Sequence, residues 1–144
     1  KGMSTNNWYC EVTINSGTVT DASFGVANSN VNDFNTGWDN SGEDRVIRGD
    51  GRLFNNGFTG TTLTTFAAGD ILGIRCDFSG GTGSIYFYKN GTVMNGGTAA
   101  FTGLTGSWFI FMGNEFPGTT SNCTVNFGET SFSNQPGGTV GFSN

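Results

Sequence analysis

Histidine is absent, proline occurs twice and charged residues make up only 12% of the 144-residue chain. Each shortage excludes something. Without histidine there is no Ser-His-Asp triad. The three cysteines, Cys10, Cys76 and Cys123, are widely spaced and form no CxxC pair, so a zinc site is not expected. They read as reduced core residues, with a single bridge between two of them left open. Six Lys and Arg in a chain of net charge −5 do not supply the basic face that a nucleic acid needs. The same acidity disfavours anionic membranes. No apolar run is long enough to span a bilayer, and no signal peptide is visible. No cofactor or metal is expected.

What is present is glycine, 25 residues of it, and aromatics at 14%, most of them the 14 Phe. Short aromatic and aliphatic runs separated by flexible turn residues indicate an all-β sandwich or barrel. The length fits one domain, residues 1–144, with enough chain to bury a core.

Trp8 to Asn15 alternates, with Trp8, Cys10, Val12 and Ile14 on one face and Tyr9, Glu11 and Thr13 on the other, the pattern of a half-buried strand. Ala22 to Ala27, Arg52 to Phe54, Ile71 to Phe78, Ser84 to Tyr88 and Cys123 to Phe127 read as further strands. Asn90-Gly91 is a strong hairpin signal. Trp108 to Met112 is nearly all apolar, as in a strand covered on both faces. Asn28 to Gly51 is the longest loop-like segment. No stretch shows a sustained helical period.

Several motifs occur in a telling order: Trp8-Tyr9-Cys10-Glu11-Val12, Gly25-Val26-Ala27, Asp50-Gly51 with Asn56-Gly57, and Gly69-Asp70-Ile71-Leu72-Gly73. Phe87 to Gly91, Val125-Asn126-Phe127-Gly128, and Pro136 with Gly141-Phe142 complete the series. Their joint order resembles an SPRY domain over nearly the whole chain. The resemblance implies a two-sheet antiparallel sandwich of the concanavalin A-like jelly-roll type. It also implies a non-enzymatic recognition module whose partners dock on loops at one end: Asn28 to Asp50, Asn55 to Leu63 and Asn95 to Ser107. SPRY domains usually place a strand ahead of the Trp-Tyr element. Here almost nothing precedes it, so the chain reads as a processed product or as part of a longer protein, with its N-terminal edge then completed by another segment. The Gly, Asn and Thr richness, with few Lys, is similar to SPRY-like modules of bacteriophage virions, which implies an exterior, extracellular location.

The candidate ligand-binding residues are Trp38, Asp39, Arg45, Arg48, Asn55, Asn56 and Phe116. Trp38 stands outside any alternating pattern, where an aromatic either stacks on a sugar or partner surface or folds back as a cap. Phe116 sits at a second loop tip. Asp33, Asn35, Asp39 and Asp44 offer hard oxygen ligands, but their spacing fits no EF-hand, so solvated loop acids are the plainer reading. Arg48-Gly49-Asp50 spells an adhesion tripeptide and reads as turn chemistry before a strand. The expected partners are a protein surface or a host glycan, within a homo-oligomer or larger assembly. The alternatives are a capsid or tail decoration protein, a glycan hydrolase, which lacks the expected pair of carboxylates, and an intracellular SPRY adaptor.

Overall fold

The computed structural model describes residues 2–31, 42–114 and 119–143. Its strands are β1 (Asn7–Gly17), β2 (Ala22–Asn28), β3 (Asp44–Arg48), β4 (Arg52–Phe54), β5 (Phe58–Thr62) and β6 (Ile71–Asp77). They continue as β7 (Gly83–Lys89), β8 (Thr92–Val93), β9 (Phe101–Leu104), β10 (Trp108–Asn114) and β11 (Ser121–Asn126). One antiparallel sheet runs β11-β1-β6-β7-β8, with β9 also on β7; the other runs β10-β2-β3-β4-β5. The architecture is the expected all-β, two-sheet sandwich. Its core joins Trp8, Cys10, Val12 and Ile14 of β1 and Leu72, Ile74 and Cys76 of β6 to Phe24, Val26, Ile47 and Leu53 of the facing sheet.

β1 departs from the half-buried expectation. Tyr9 is fully buried and Glu11 is 4% exposed, so both faces are covered as far as Val12. The cover is the chain's own tail. Tyr9 packs edge-on against Phe132, with ring centroids 5.1 Å apart. The Glu11 carboxylate accepts the backbone N–H of Ser133 at 2.8 Å and of Asn134 at 2.6 Å, and the Tyr9 hydroxyl at 3.2 Å. A buried acid is tolerated only where its lone pairs are so engaged. Gly73 lies opposite Glu11 in the sheet, and a Cβ there would overlap the Tyr9 hydroxyl and sit 2.9 Å from its ring. The Trp-Tyr-x-Glu-Val motif and the second Gly of Gly-Asp-Ile-Leu-Gly therefore serve one purpose: they seat Tyr9 and pin the tail.

The Asp of that second motif closes a different joint. Asp70 accepts the N–H of Ala67 and the side-chain amide of Asn90, both at 2.8 Å, and pairs with Lys89 at 2.9 Å. Asn90 in turn accepts the Ile71 N–H at 2.8 Å. Asn90 and Gly91 adopt φ values of 49° and 82°, the left-handed pair that a two-residue hairpin requires.

Three segments expected as loops contain strands: β3 within Asn28 to Gly51, β5 within Asn55 to Leu63, and β9 within Asn95 to Ser107. β3 was hidden by charge, because Asp44 and Arg48 look solvated in sequence yet are buried in the fold. β5, Phe-Thr-Gly-Thr-Thr, has no apolar alternation and owes its form to pairing with β4. β10 is also corrected. It is an edge strand, with Phe109 38% and Met112 37% exposed, rather than a strand covered on both faces. All three cysteines are free. Burial pushes the Cys10 and Cys76 thiols well above their ordinary range.

Candidate functional site

Register decides which loops meet. Asn28 at the end of β2 lies opposite Trp108 at the start of β10, and neighbouring Ala27 lies opposite Asp44 at the start of β3. Phe54 at the end of β4 pairs with Val46. The β2–β3, β4–β5 and β9–β10 connections therefore emerge at one end of the sandwich. They are parts of the three segments, Asn28 to Asp50, Asn55 to Leu63 and Asn95 to Ser107, that the sequence resemblance assigned to partner docking; the rest of those segments forms β3, β5 and β9 or lies elsewhere.

Arg45 sits at this end. Its guanidinium lies 5.3 Å from the Trp108 ring centre and donates to the Gly42 carbonyl at 2.8 Å and the Asp44 carbonyl at 2.5 Å. Burial lowers its pKa, while Asp44 and Glu43 act in the opposite sense. Asn28 donates its side-chain amide to Glu43, which ties the two ends of the β2–β3 connection together. Trp108 itself is buried and donates its indole N–H to Thr105 at 2.9 Å.

Asn55 and Asn56 form the exposed β4–β5 turn, with Asn56 at φ 53° and the Asn55 N–H donated to the Gly57 carbonyl at 3.0 Å. Asn56 borders Gly42, so this turn touches the end of the β2–β3 connection. The next residue but one is Phe58, 49% exposed and the most exposed large apolar residue described. Its ring lies 5.9 Å from that of Phe54, and the Arg52 guanidinium lies 5.9 Å from its ring centre. Phe58 is not among the candidates that the sequence motifs single out; its one signal there is a lone aromatic in an otherwise polar Gly/Thr stretch.

Arg48 is placed elsewhere. It pairs with Ser23 at the far end of β3 and is 5% exposed. Its guanidinium contacts Asp21 at 2.7 Å and Asp50 at 3.8 Å. Gly49 beside it leaves no room for a Cβ against the Val19 carbonyl. The Arg48-Gly49-Asp50 tripeptide is thus folded into the sheet end. Burial pushes the Asp50 carboxyl up, but hydrogen bonds from Arg52 and the charge of Arg48 outweigh it and hold the group below its ordinary value. Trp38, Asp39, Phe116 and the other candidate calcium ligands Asp33 and Asn35 lie outside the described residues. Among the described residues, no group of three His, Cys, Asp or Glu side chains is placed to hold a metal ion.

The family model for the SPRY domain matches residues 7–130. Among solved structures, the SPRY domain of human HERC1 is similar, with a TM-score of 0.75 at 20% identity over 91% of this chain and 80% of that one. That likeness bears on the fold. No curated protein matches the chain.

Proposed function

The chain belongs to the SPRY domain family, and from that premise we propose that it is a non-catalytic recognition module reading its partner with the loop end of the sandwich. SPRY domains are in general protein-binding modules. The observation that carries the reading is the convergence of three connections on one end, with Asn55 and Asn56 at the turn and the exposed Phe58 ring beside them. An exposed aromatic backed by a guanidinium and ringed by polar groups has the make-up of an interface anchor. Trp38 and Asp39, in the β2–β3 connection, belong to the same proposal as ligand contacts; the chain leaves β10 towards Phe116 at the other end, where Asn114 pairs with Ala22, so Phe116 is not a contact of this surface.

We further propose that the module is displayed on the exterior of a bacteriophage particle, where it meets a protein or glycan of the host surface. What supports this is composition: 25 Gly, only six Lys and Arg, and a net charge of −5. The test is binding of the labelled domain to intact host cells, before and after protease or periodate treatment. Saturable binding lost in Phe58→Ala and Trp38→Ala supports the reading. Loss on protease treatment identifies a protein partner, and loss on periodate treatment a glycan. Absence of binding, together with absence of the chain from purified particles by mass spectrometry, overturns the virion assignment.

A further inference from the structure

Asparagine followed by glycine carries the means to modify itself. The glycine nitrogen attacks the asparagine Cγ, a five-membered imide forms, and water opens it. Glycine suits the reaction because it has no Cβ to block the approach. The chain holds three such pairs: Asn56-Gly57, Asn90-Gly91 and Asn95-Gly96. Sequence alone does not rank them.

The backbone does not rank them either. All three asparagines are exposed, and their φ values of 53°, 49° and 56° are all left-handed. In none of the pairs does the glycine N–H bond to the backbone of a described residue. The side chains are what differ. The Asn90 carboxamide is held at both atoms: its oxygen accepts the Ile71 N–H and its nitrogen donates to Asp70, each at 2.8 Å. The Asn95 carboxamide donates to the Ala99 carbonyl at 3.2 Å. Thr98 also fixes the Asn95 backbone carbonyl, through its N–H at 3.1 Å and its hydroxyl at 2.6 Å. The Asn56 side chain borders Gly42 and has no hydrogen-bond partner among the described residues. For the ring to close, Cγ must turn towards the next nitrogen. Asn90 and Asn95 must first break bonds; Asn56 need not.

We propose that Asn56-Gly57 is a self-modification site and that the fold shields the other two pairs. The Gly57 nitrogen bonds to the Asn56 Cγ, the Cγ–Nδ2 bond breaks, and ammonia leaves with the proton of the Gly57 N–H. Water then opens the imide. Attack at Cγ leaves aspartate; attack at the backbone carbonyl carbon leaves isoaspartate, whose main chain runs through Cβ and Cγ. Nothing is oxidised or reduced.

The position gives the reaction its consequence. Asn55, Asn56 and Gly57 are the whole link between Phe54 and Phe58, which pair across the hairpin. Loop length fixes the register of a hairpin. Isoaspartate lengthens that link by one backbone carbon, and either product adds a negative charge to a chain of net charge −5. Phe58, 49% exposed, is displaced with it. Conversion thereby retires the docking end of the sandwich over time. That last step rests on the docking reading; the reaction does not.

All three pairs are followed in one sample. The full chain is incubated in warm, mildly alkaline buffer, folded and in urea, and conversion is read by peptide mapping with mass spectrometry. An isoaspartate-specific methyltransferase marks the isoaspartate product. In the folded protein Asn56 converts about tenfold or more faster than Asn90, the factor that two side-chain hydrogen bonds supply, with Asn95 between them. In urea the three rates come together. After conversion the NMR amide signals of Phe54 and Phe58 shift, and those around Asn90 do not. The proposal is overturned if Asn90 or Asn95 converts as fast as Asn56 in the folded protein, if Asn56 is inert there, or if the Phe54 and Phe58 signals stay in place. Conversion is scored without any ligand, so its failure is separate from failure of the docking reading. Binding to host cells by fresh and not by converted protein supports the final step, and equal binding by both removes it.

Discussion

Single side chains explain the family motifs better than their names do. Glu11 is a buried carboxylate whose hydrogen bonds reach 122 and 123 residues along the chain. Glu11→Gln puts an amide where two N–H groups and a hydroxyl converge. Because hydrogen bonds to a buried charge contribute about 1.5–3 kcal/mol, the loss expected in urea denaturation is about 2–3 kcal/mol. Tyr9→Phe removes one hydroxyl bond, and about 1 kcal/mol is expected by the same measurement. Gly73→Ala forces a methyl group into the buried Tyr9 ring, and overpacking of that kind costs about 1–3 kcal/mol. A stability for Gly73→Ala equal to the wild type would show that Tyr9 does not need that space. At this scale the sequence was legible for identity and not for purpose. Glu11 was read onto an outward face, because its partners lie at Ser133 and Asn134. Arg48 was grouped with Arg45, whereas the fold sends them to opposite ends of β3.

At the scale of elements, the best-read pieces were those whose form is local. The Asn90-Gly91 hairpin holds its turn by left-handed backbone and by the Asp70–Asn90–Ile71 bonds. Asn90→Ala loses both side-chain bonds while keeping a strained φ, so a loss of about 1–2 kcal/mol is expected in thermal or urea melts. The β4–β5 hairpin gives the contrasting case. Phe58 is half exposed, so Phe58→Ala should shift stability by no more than about 1 kcal/mol. A Phe58→Ala variant that unfolds would make Phe58 a packing residue and remove it from the binding surface. β3, β5 and β9 escaped the sequence reading because a strand rich in charge, Thr or Gly is made by its neighbours rather than by its own residues. β10 was read as an interior strand because its apolarity is real. What covers an apolar strand is decided by the sheet order, and β10 came out at an edge.

The whole molecule behaves as a sandwich strapped shut by its tail. Asp77 is held below its ordinary carboxyl value chiefly by Ser79, and Asp50 and Asp70 are lowered by their hydrogen bonds and cations in spite of burial. For groups lowered on folding, the unfolded chain takes up protons first as pH falls. Stability should therefore be level above the ordinary carboxyl value of 3.8 and decline as pH drops through and below it. Melting temperatures across that range test the sign, and Asp70→Asn should flatten the slope. Thiol labelling tests closure: Cys10 and Cys76 should react only as fast as the protein opens, with half-buried Cys123 first. Rapid labelling of all three in the native state would contradict the packed core. By itself the sequence determined the all-β class, most strand positions, the glycine and asparagine turns and the SPRY order of motifs, because alternation and turn chemistry are set within a few residues. Only the tertiary structure decided that β1 is covered on both faces, that Arg45 and Arg48 part company, that Phe58 stands out and that β10 lies last in its sheet. Each of these depends on which distant segment pairs or packs alongside, and no local pattern encodes that choice.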